Sequence, residues 1–445
     1  MHFAFPPESR LTKKLRVLPT KVRPIMIKHK LFLSAIALGL CITVQAVAAK
    51  VETEDNTTSP TGDFTSGKYS SSSLSQSQKS VAKALRSFVS ASGNDKETVT
   101  VALDKINASS GKFAAAFDQI SVRFPDLTTL SIEQAFTQTQ LLNQHFNLLH
   151  LGNTRALDPI AEGSGVSKKW DVWVLGSGSF SRVPGERNAE RDNTSSGDFL
   201  AGADYRWNEN FITGLYAGYG YSDSKYSGGS RLQGDSVLFG GYASYSNNGY
   251  YADAIIGGGY TDFESRRNIR FSTINRTARG EPDSGLFTAS LNLGKDFSLG
   301  NFKLGPIVGV QYTHVGVDGY TENGAKSLDL SVSRENSDSL RTTLGGRVAY
   351  TWRLSQSVTL IPEVRMFWQR EFMNGSHNIS ASLDGGSGSS FDFKTNAPYG
   401  SSAFAGAGVS AQFGESWSGA IFYNVSFGSQ HFVNNSISAS VNLAF

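Results

Sequence analysis

The residues best placed for chemistry are six charges set into otherwise apolar stretches. In 358–369, Val358, Leu360, Pro362, Val364, Met366 and Trp368 occupy alternate positions, and Glu363, Arg365 and Gln369 fall between them. In 347–354, Val348, Tyr350, Trp352 and Leu354 alternate with Arg347 and Arg353, and Asp204 and Arg206 are placed likewise. Charge on a lipid-facing surface is costly. The spacing therefore predicts that Asp204, Arg206, Arg347, Arg353, Glu363 and Arg365 face a lumen. A lumen with both signs of charge either holds a polar segment or is rigidified by internal ion pairs, and the sequence leaves both open.

Other chemistry is poorly represented. The chain has no nucleophile elbow, phosphate loop, zinc spacing or nucleotide fingerprint. His314, His377 and His431 are scattered and predicted to be solvated. Gly257-Gly258-Gly259 lies inside a strand pattern, where it marks curvature or close approach. The one cysteine, Cys41, sits in an apolar stretch near the N-terminus, so a mature chain would lack a disulfide framework and a thiol nucleophile. The expectation is a non-enzyme without metal or cofactor.

The elements that position the lumen charges are strands. From Trp170 to Phe445 the pattern has period two; at the end, Ile437, Ala439, Val441, Leu443 and Phe445 share one face and Ser436, Ser438, Ser440 and Asn442 the other. Twelve such segments begin near Trp170, Asp198, Phe211, Asp235, Tyr250, Leu286, Phe302, Leu340, Val358, Ser402, Ser418 and Phe432. Each is long enough for a tilted membrane strand. Connections alternate between short ones, such as Asn247-Asn248-Gly249, and long ones over 182–197, 222–234, 264–284, 321–339 and 372–400. Short turns on one side and long loops on the other are the habit of outer-membrane barrels. The fold expected over 166–445 is an all-β transmembrane barrel of about twelve antiparallel strands, with long loops extracellular and both chain ends periplasmic.

A short α-helical region precedes it over 80–165. Val81, Leu85, Phe88 and Val89 recur at helical spacing, and Asp95 is the expected cap of a second helix. A third runs over Phe113 to Ile120. Pro125-Asp126 opens a longer one that Gly152 closes, predicted to lead into or plug the barrel. Residues 50–79 are rich in Ser, Thr, Gly and Gln and read as a disordered segment.

Residues 1–49 read as a secretory signal peptide. Lys28, His29 and Lys30 precede the apolar run Leu31 to Val44, and Ala46, Ala48 and Ala49 mark the cleavage site. The basic residues before Met26 suggest a true translation start there. A signal of this kind implies the Sec export machinery. In 445 residues, the net charge of +3 indicates no nucleic-acid partner, and 46 glycines with 11% aromatic and 18% charged residues suit a membrane barrel.

Together these features resemble the autotransporters, the type V secretion proteins, whose C-terminal twelve-stranded barrel is preceded by a helix that threads the pore. Ala116-Phe117-Asp118-Gln119-Ile120-Ser121 looks like the linker motif before many such barrels. Val441, Leu443 and the terminal Phe445 are similar to the signal read by the barrel-assembly machinery. The resemblance implies a monomeric translocator in the outer membrane of a Gram-negative bacterium, embedded in its lipid. Some autotransporters cut their linker beside an asparagine pair in the pore; Asn143 and Asn147 are not adjacent, and self-cleavage is not predicted. The family usually carries a passenger of several hundred residues, often a β-helix, and no repeats of that kind occur here. The expectation is a translocator that anchors or exports a very short N-terminal segment. A surface adhesin acting through its loops and a simple porin are the alternatives.

Overall fold

The computed structural model describes residues 64–67, 74–91, 94–106, 112–121, 127–152, 169–183, 192–226, 228–395, 400–414, 416–428 and 433–445. The expected signal peptide, with Ala46, Ala48 and Ala49, lies outside these residues, as does His431.

Twelve long antiparallel strands close into a barrel. They are β1 (Trp170–Val183), β2 (Asp192–Arg206), β3 (Phe211–Tyr226), β4 (Arg231–Asn247), β5 (Tyr250–Phe271) and β6 (Asp283–Lys295). The second half comprises β7 (Phe302–Val317), β8 (Glu335–Tyr350), β9 (Val358–Glu371), β10 (Ser401–Phe413), β11 (Trp417–Gly428) and β12 (Val433–Ala444). Each pairs with its neighbours in sequence, and β12 pairs back with β1 from Ala444↔Asp171 to Val433↔Arg182. The ring thus leaves no open edge between first and last strand, which is what a sheet in lipid requires.

Side-chain alternation makes the two faces of the wall. On β12, Ile437 and Val441 are exposed while Ser438, Ser440 and Asn442 are buried. On β9, Val364, Met366 and Trp368 are exposed and Glu363, Arg365 and Gln369 buried. A polar interior under an apolar exterior inverts the soluble pattern, and only an apolar solvent rewards it. Between β4 and β5, Asn248 and Gly249 both take left-handed φ, 51° and 79°, as a tight two-residue hairpin needs.

The long connections are more ordered than expected. The stretch 222–234 is mostly strand, since β3 runs to Tyr226 and β4 starts at Arg231. β5 continues to Phe271 and returns as Ile274–Gly280, with Ser265 opposite Gly280. Within 317–335 and 371–401 lie Tyr320–Thr321, Ser331–Val332, Asn378–Ser382 and Ser390–Lys394, paired into a four-stranded sheet. Outside lipid, strand pairing persists without the apolar alternation that makes it readable.

Among the described residues, four α-helices precede the barrel: α1 (Gln76–Leu85), α2 (Asp95–Asp104), α3 (Lys112–Ile120) and α4 (Leu127–Gly152). α1 starts earlier than expected because Ser75 and Gln78 form a capping box: Gln78 N donates to Ser75 Oγ (3.2 Å) and Ser75 N to Gln78 Oε1 (2.8 Å). α2 is capped by Asn94, which accepts from Lys96 N and Glu97 N, and not by Asp95. Part of the stretch read as disordered is ordered. Phe64 is fully buried against Phe113 and Phe117, and Asp104 accepts from Phe64 N and Thr65 N.

Candidate functional site: the occupied lumen

α4 lies inside the barrel. Near its start, Leu127, Ile132 and Ala135 pack with Tyr226, Leu232, Phe263, Val315 and Val317, all toward the long-loop end of their strands. Near its finish, Leu141, Leu142, Phe146 and Leu149 pack with Trp173, Ile212, Tyr242 and Ile255, toward the short-turn end. Its 26 residues rise about 39 Å, enough to run from one rim toward the other.

Polar residues of α4 meet the wall at many points around the ring. Ser131 Oγ lies 2.9 Å from Ser284 Oγ of β6, and Glu133 accepts from Arg341 Nη2 of β8 at 2.6 Å. Gln138 donates to Asp198 of β2, Thr139 accepts from Gln311 of β7 at 3.2 Å, and Asn143 accepts from Asn292 of β6 at 2.9 Å. Gln144 accepts from Ser438 of β12 at 2.7 Å, and Asn147 accepts from Arg347 of β8. A helix with no single apolar face is expected only where its surroundings are mixed on every side.

Two histidines anchor the lower half. His145 Nε2 is 2.9 Å from Asp204 Oδ2, and its ring stacks on Trp173 with centroids 4.4 Å apart. Asp204 also accepts from Tyr242 Oη, which in turn accepts from Trp173 Nε1 at 2.7 Å. His150 Nε2 lies 3.1 Å from Asp253 Oδ1 and 3.2 Å from Ser244 Oγ, with the Tyr251 ring tilted against it at 4.3 Å between centroids. The sequence reading singled out other histidines and not these two, whose signal was their place on the longest helix among the described residues. Of the expected ones, His314 is exposed beside Asp338 (2.9 Å) and His377 contacts Glu335.

The six lumen candidates divide. Asp204, Arg347, Glu363 and Arg365 are buried. Arg347 bridges Asp296 (2.8 Å) and Asn147, with Glu363 at 3.9 Å. Arg365 donates to Asn424 at 2.9 Å and lies over the rings of Phe404 and Phe422. Arg206 is half-buried near Asp171, at 4.0 Å. Arg353 is exposed: β8 ends at Tyr350, and Trp352–Arg353 belong to the hairpin beyond it. Both readings of the charged lumen therefore apply, since Arg347 and Glu133–Arg341 hold α4 while Arg347–Asp296 ties wall to wall. At the barrel seam, Val441 and Phe445 are exposed, Leu443 is half-buried, and Phe445 N donates to Trp170 O at 2.8 Å.

At the long-loop rim the barrel carries α1–α3. Buried Arg267 of β5 donates to Glu322 (3.0 Å), to Leu328 O (2.9 Å) and to Gln119 O and Ile120 O at the end of α3 (2.8 and 3.0 Å). The last carbonyls of a helix lack partners, and a cation there also suits the helix dipole. Arg276 of the returning strand grips Asp95 in the first turn of α2 at 2.6 and 2.8 Å, and Ser327 donates to the same carboxylate. Burial alone would raise the Asp95 carboxyl, but the Ser327 and Arg276 hydrogen bonds outweigh it and hold it below its ordinary value.

A model of the autotransporter β-domain matches residues 172–424, more than half of the chain. The chain belongs to the autotransporter family. An autotransporter barrel is an outer-membrane translocator of Gram-negative bacteria and not an enzyme in itself. Among curated proteins, this autotransporter is 26% identical over 243 residues to Esterase EstA of Pseudomonas aeruginosa, covering 52% of this chain and 36% of the esterase. It is 27% identical over 195 residues to an uncharacterised protein of Pseudomonas putida encoded in the trpE-trpG intergenic region, covering 42% and 31%. The chain thus spans about a third of the length of the curated relatives it matches. Among solved structures it resembles the translocator domain of NalP from Neisseria meningitidis, with TM-score 0.49, 15% identity, and 69% of this chain and 98% of that one covered. The β-domain of the Bordetella autotransporter BrkA gives TM-score 0.49 and 21% identity, with 62% and 100% covered.

Proposed function

We propose that this autotransporter carries the residues ahead of α4 across the outer membrane and keeps α4 in the pore as their tether. The direction of α4 carries the proposal. Its start packs at the long-loop rim and its end near the short turns, so the chain before it emerges among the long loops. With long loops extracellular, as barrels of this class have them, α1–α3 stand at the cell surface. The exported part then includes a folded helical module as well as the Ser/Thr-rich stretch. A lumen occupied along its length argues against a simple porin.

The basic flank Lys28, His29 and Lys30, the apolar run behind it and Ala46, Ala48 and Ala49 support Sec-dependent export with cleavage at that point. Val441, Leu443 and Phe445 support recognition by the barrel-assembly machinery, and the closed ring supports a monomer. The role proposed for the described residues is transport. An epitope inserted near Ser72 tests the reading. It should be labelled on intact cells; an epitope that stays hidden until the outer membrane is breached rules the reading out.

A further inference from the structure

The core beneath α1–α3 is only half helical. The helical segment contributes Val81, Leu85, Leu103, Phe117 and Ile120, with Phe88 from the turn after α1, and the barrel rim contributes Ile274, Leu328, Leu330, Ile379, Phe391 and Phe393, all at most 8% exposed. The three helices have 10, 10 and 9 residues. Helices that short are marginal in water without a surface to pack on. Polar contacts are divided in the same way. The end of α3 is satisfied by Arg267 of β5, and Asp95 at the start of α2 by Arg276 and Ser327 of the rim. Lys394 N, on the edge of the four-stranded sheet, donates to Ser77 Oγ of α1 at 3.2 Å.

We infer that the long-loop rim is a binding site whose ligand is this chain's own amphipathic three-helix segment, 64–121. The segment folds on the rim and not before reaching it. It is held by burial and ion pairs, so it stays bound when the covalent link to α4 is cut. The rim arginines choose the ligand's polarity: Arg276 takes a helix N-terminal carboxylate and Arg267 a helix C-terminus, so only one orientation satisfies both. This holds whichever side of the membrane the rim faces, so its test and the epitope test can fail separately.

The experiment uses the full chain in detergent, with a protease recognition sequence inserted after Ser121. Once cleavage is complete on a denaturing gel, the helical fragment should still co-elute with the barrel on size exclusion. With Phe391→Ser and Phe393→Ser together, changes confined to the rim, the fragment should separate and become protease-sensitive. A fragment that leaves the unaltered rim on cleavage overturns the inference, as does one that stays bound and protected on the altered rim. If the double variant yields no barrel, Arg276→Gln serves instead. It should speed fragment dissociation at least several-fold, and an unchanged rate overturns the inference.

Discussion

Phe146→Ala isolates the lumenal helix from the wall that holds it. Phe146 is 1% exposed, belongs to α4 and not to any strand, and meets Tyr242 edge-on at 5.3 Å between centroids. Truncating a buried phenylalanine costs about 3–5 kcal/mol through lost transfer energy and the cavity left behind. At roughly 1.4 kcal/mol per decade, local release of the lower half of α4 should become about 10²- to 4 × 10³-fold more frequent. Amide hydrogen exchange on the full chain in detergent reads this directly, because protection measures the free energy of local opening. Amides over 141–149 should exchange faster by that factor while those of β3 and β4 stay as they were. The sign is informative. Alanine is the better helix former by up to about 0.7 kcal/mol, so a helix standing free in water would exchange more slowly after the change. Unchanged or slowed exchange in α4, or an equal loss throughout the barrel, would refute the reasoning.

Other expectations follow from single contacts. Ser131→Cys with Ser284→Cys should form a disulfide under mild oxidation, since the two hydroxyls are 2.9 Å apart across helix and wall; mass spectrometry should find the joined peptides, and their absence would place α4 elsewhere. The Asp95 carboxyl lies below its ordinary value in the folded protein. Its contribution is therefore full above the unfolded value, near 4, and is lost as pH falls through the folded one; protease resistance of α1–α3 should drop in that acid range, and Asp95→Asn should flatten the dependence. Gly257→Val would drive a side chain into the Tyr216 hydroxyl, so the heat-stable barrel should diminish on gels, with partial recovery on adding Tyr216→Ala. Phe445→Ser removes a side chain that is 60% exposed; if that ring is an assembly signal, barrel yield in cells should fall while melting of the purified barrel stays nearly constant.

The legible part of this chain is the part in contact with lipid. The expected starts Phe211, Tyr250, Phe302 and Val358, all just after short turns, agree with the observed ones. Starts at the other rim were placed late: Asp198 for Asp192, Asp235 for Arg231 and Leu340 for Glu335. There the strands rise beyond the apolar band, both faces turn polar, and period two vanishes although pairing continues. The site was harder to read for a related reason. Asp204 was expected inside, yet its partner His145 is 59 positions away and periodicity cannot pair them. Arg267 and Arg276 went unread because their stretch looked like loop, and nothing local reveals that a helix end lies above them. Conversely, the polar residues spread around α4 were a usable sign of a helix walled in on all sides.

The shared core at the rim changes what counts as a boundary in this molecule. Along the chain, a cut at residue 166 divides helical region from barrel cleanly, and it is where a protein engineer would join foreign cargo. In space that cut removes α1–α3 from Ile274, Leu328 and Phe393, leaving a greasy, half-built platform at the top of the barrel. The workable junction lies ahead of Phe64, whose ring already belongs to the shared core. What divides cargo from anchor here is a surface between packed side chains, and any graft must respect it on both sides.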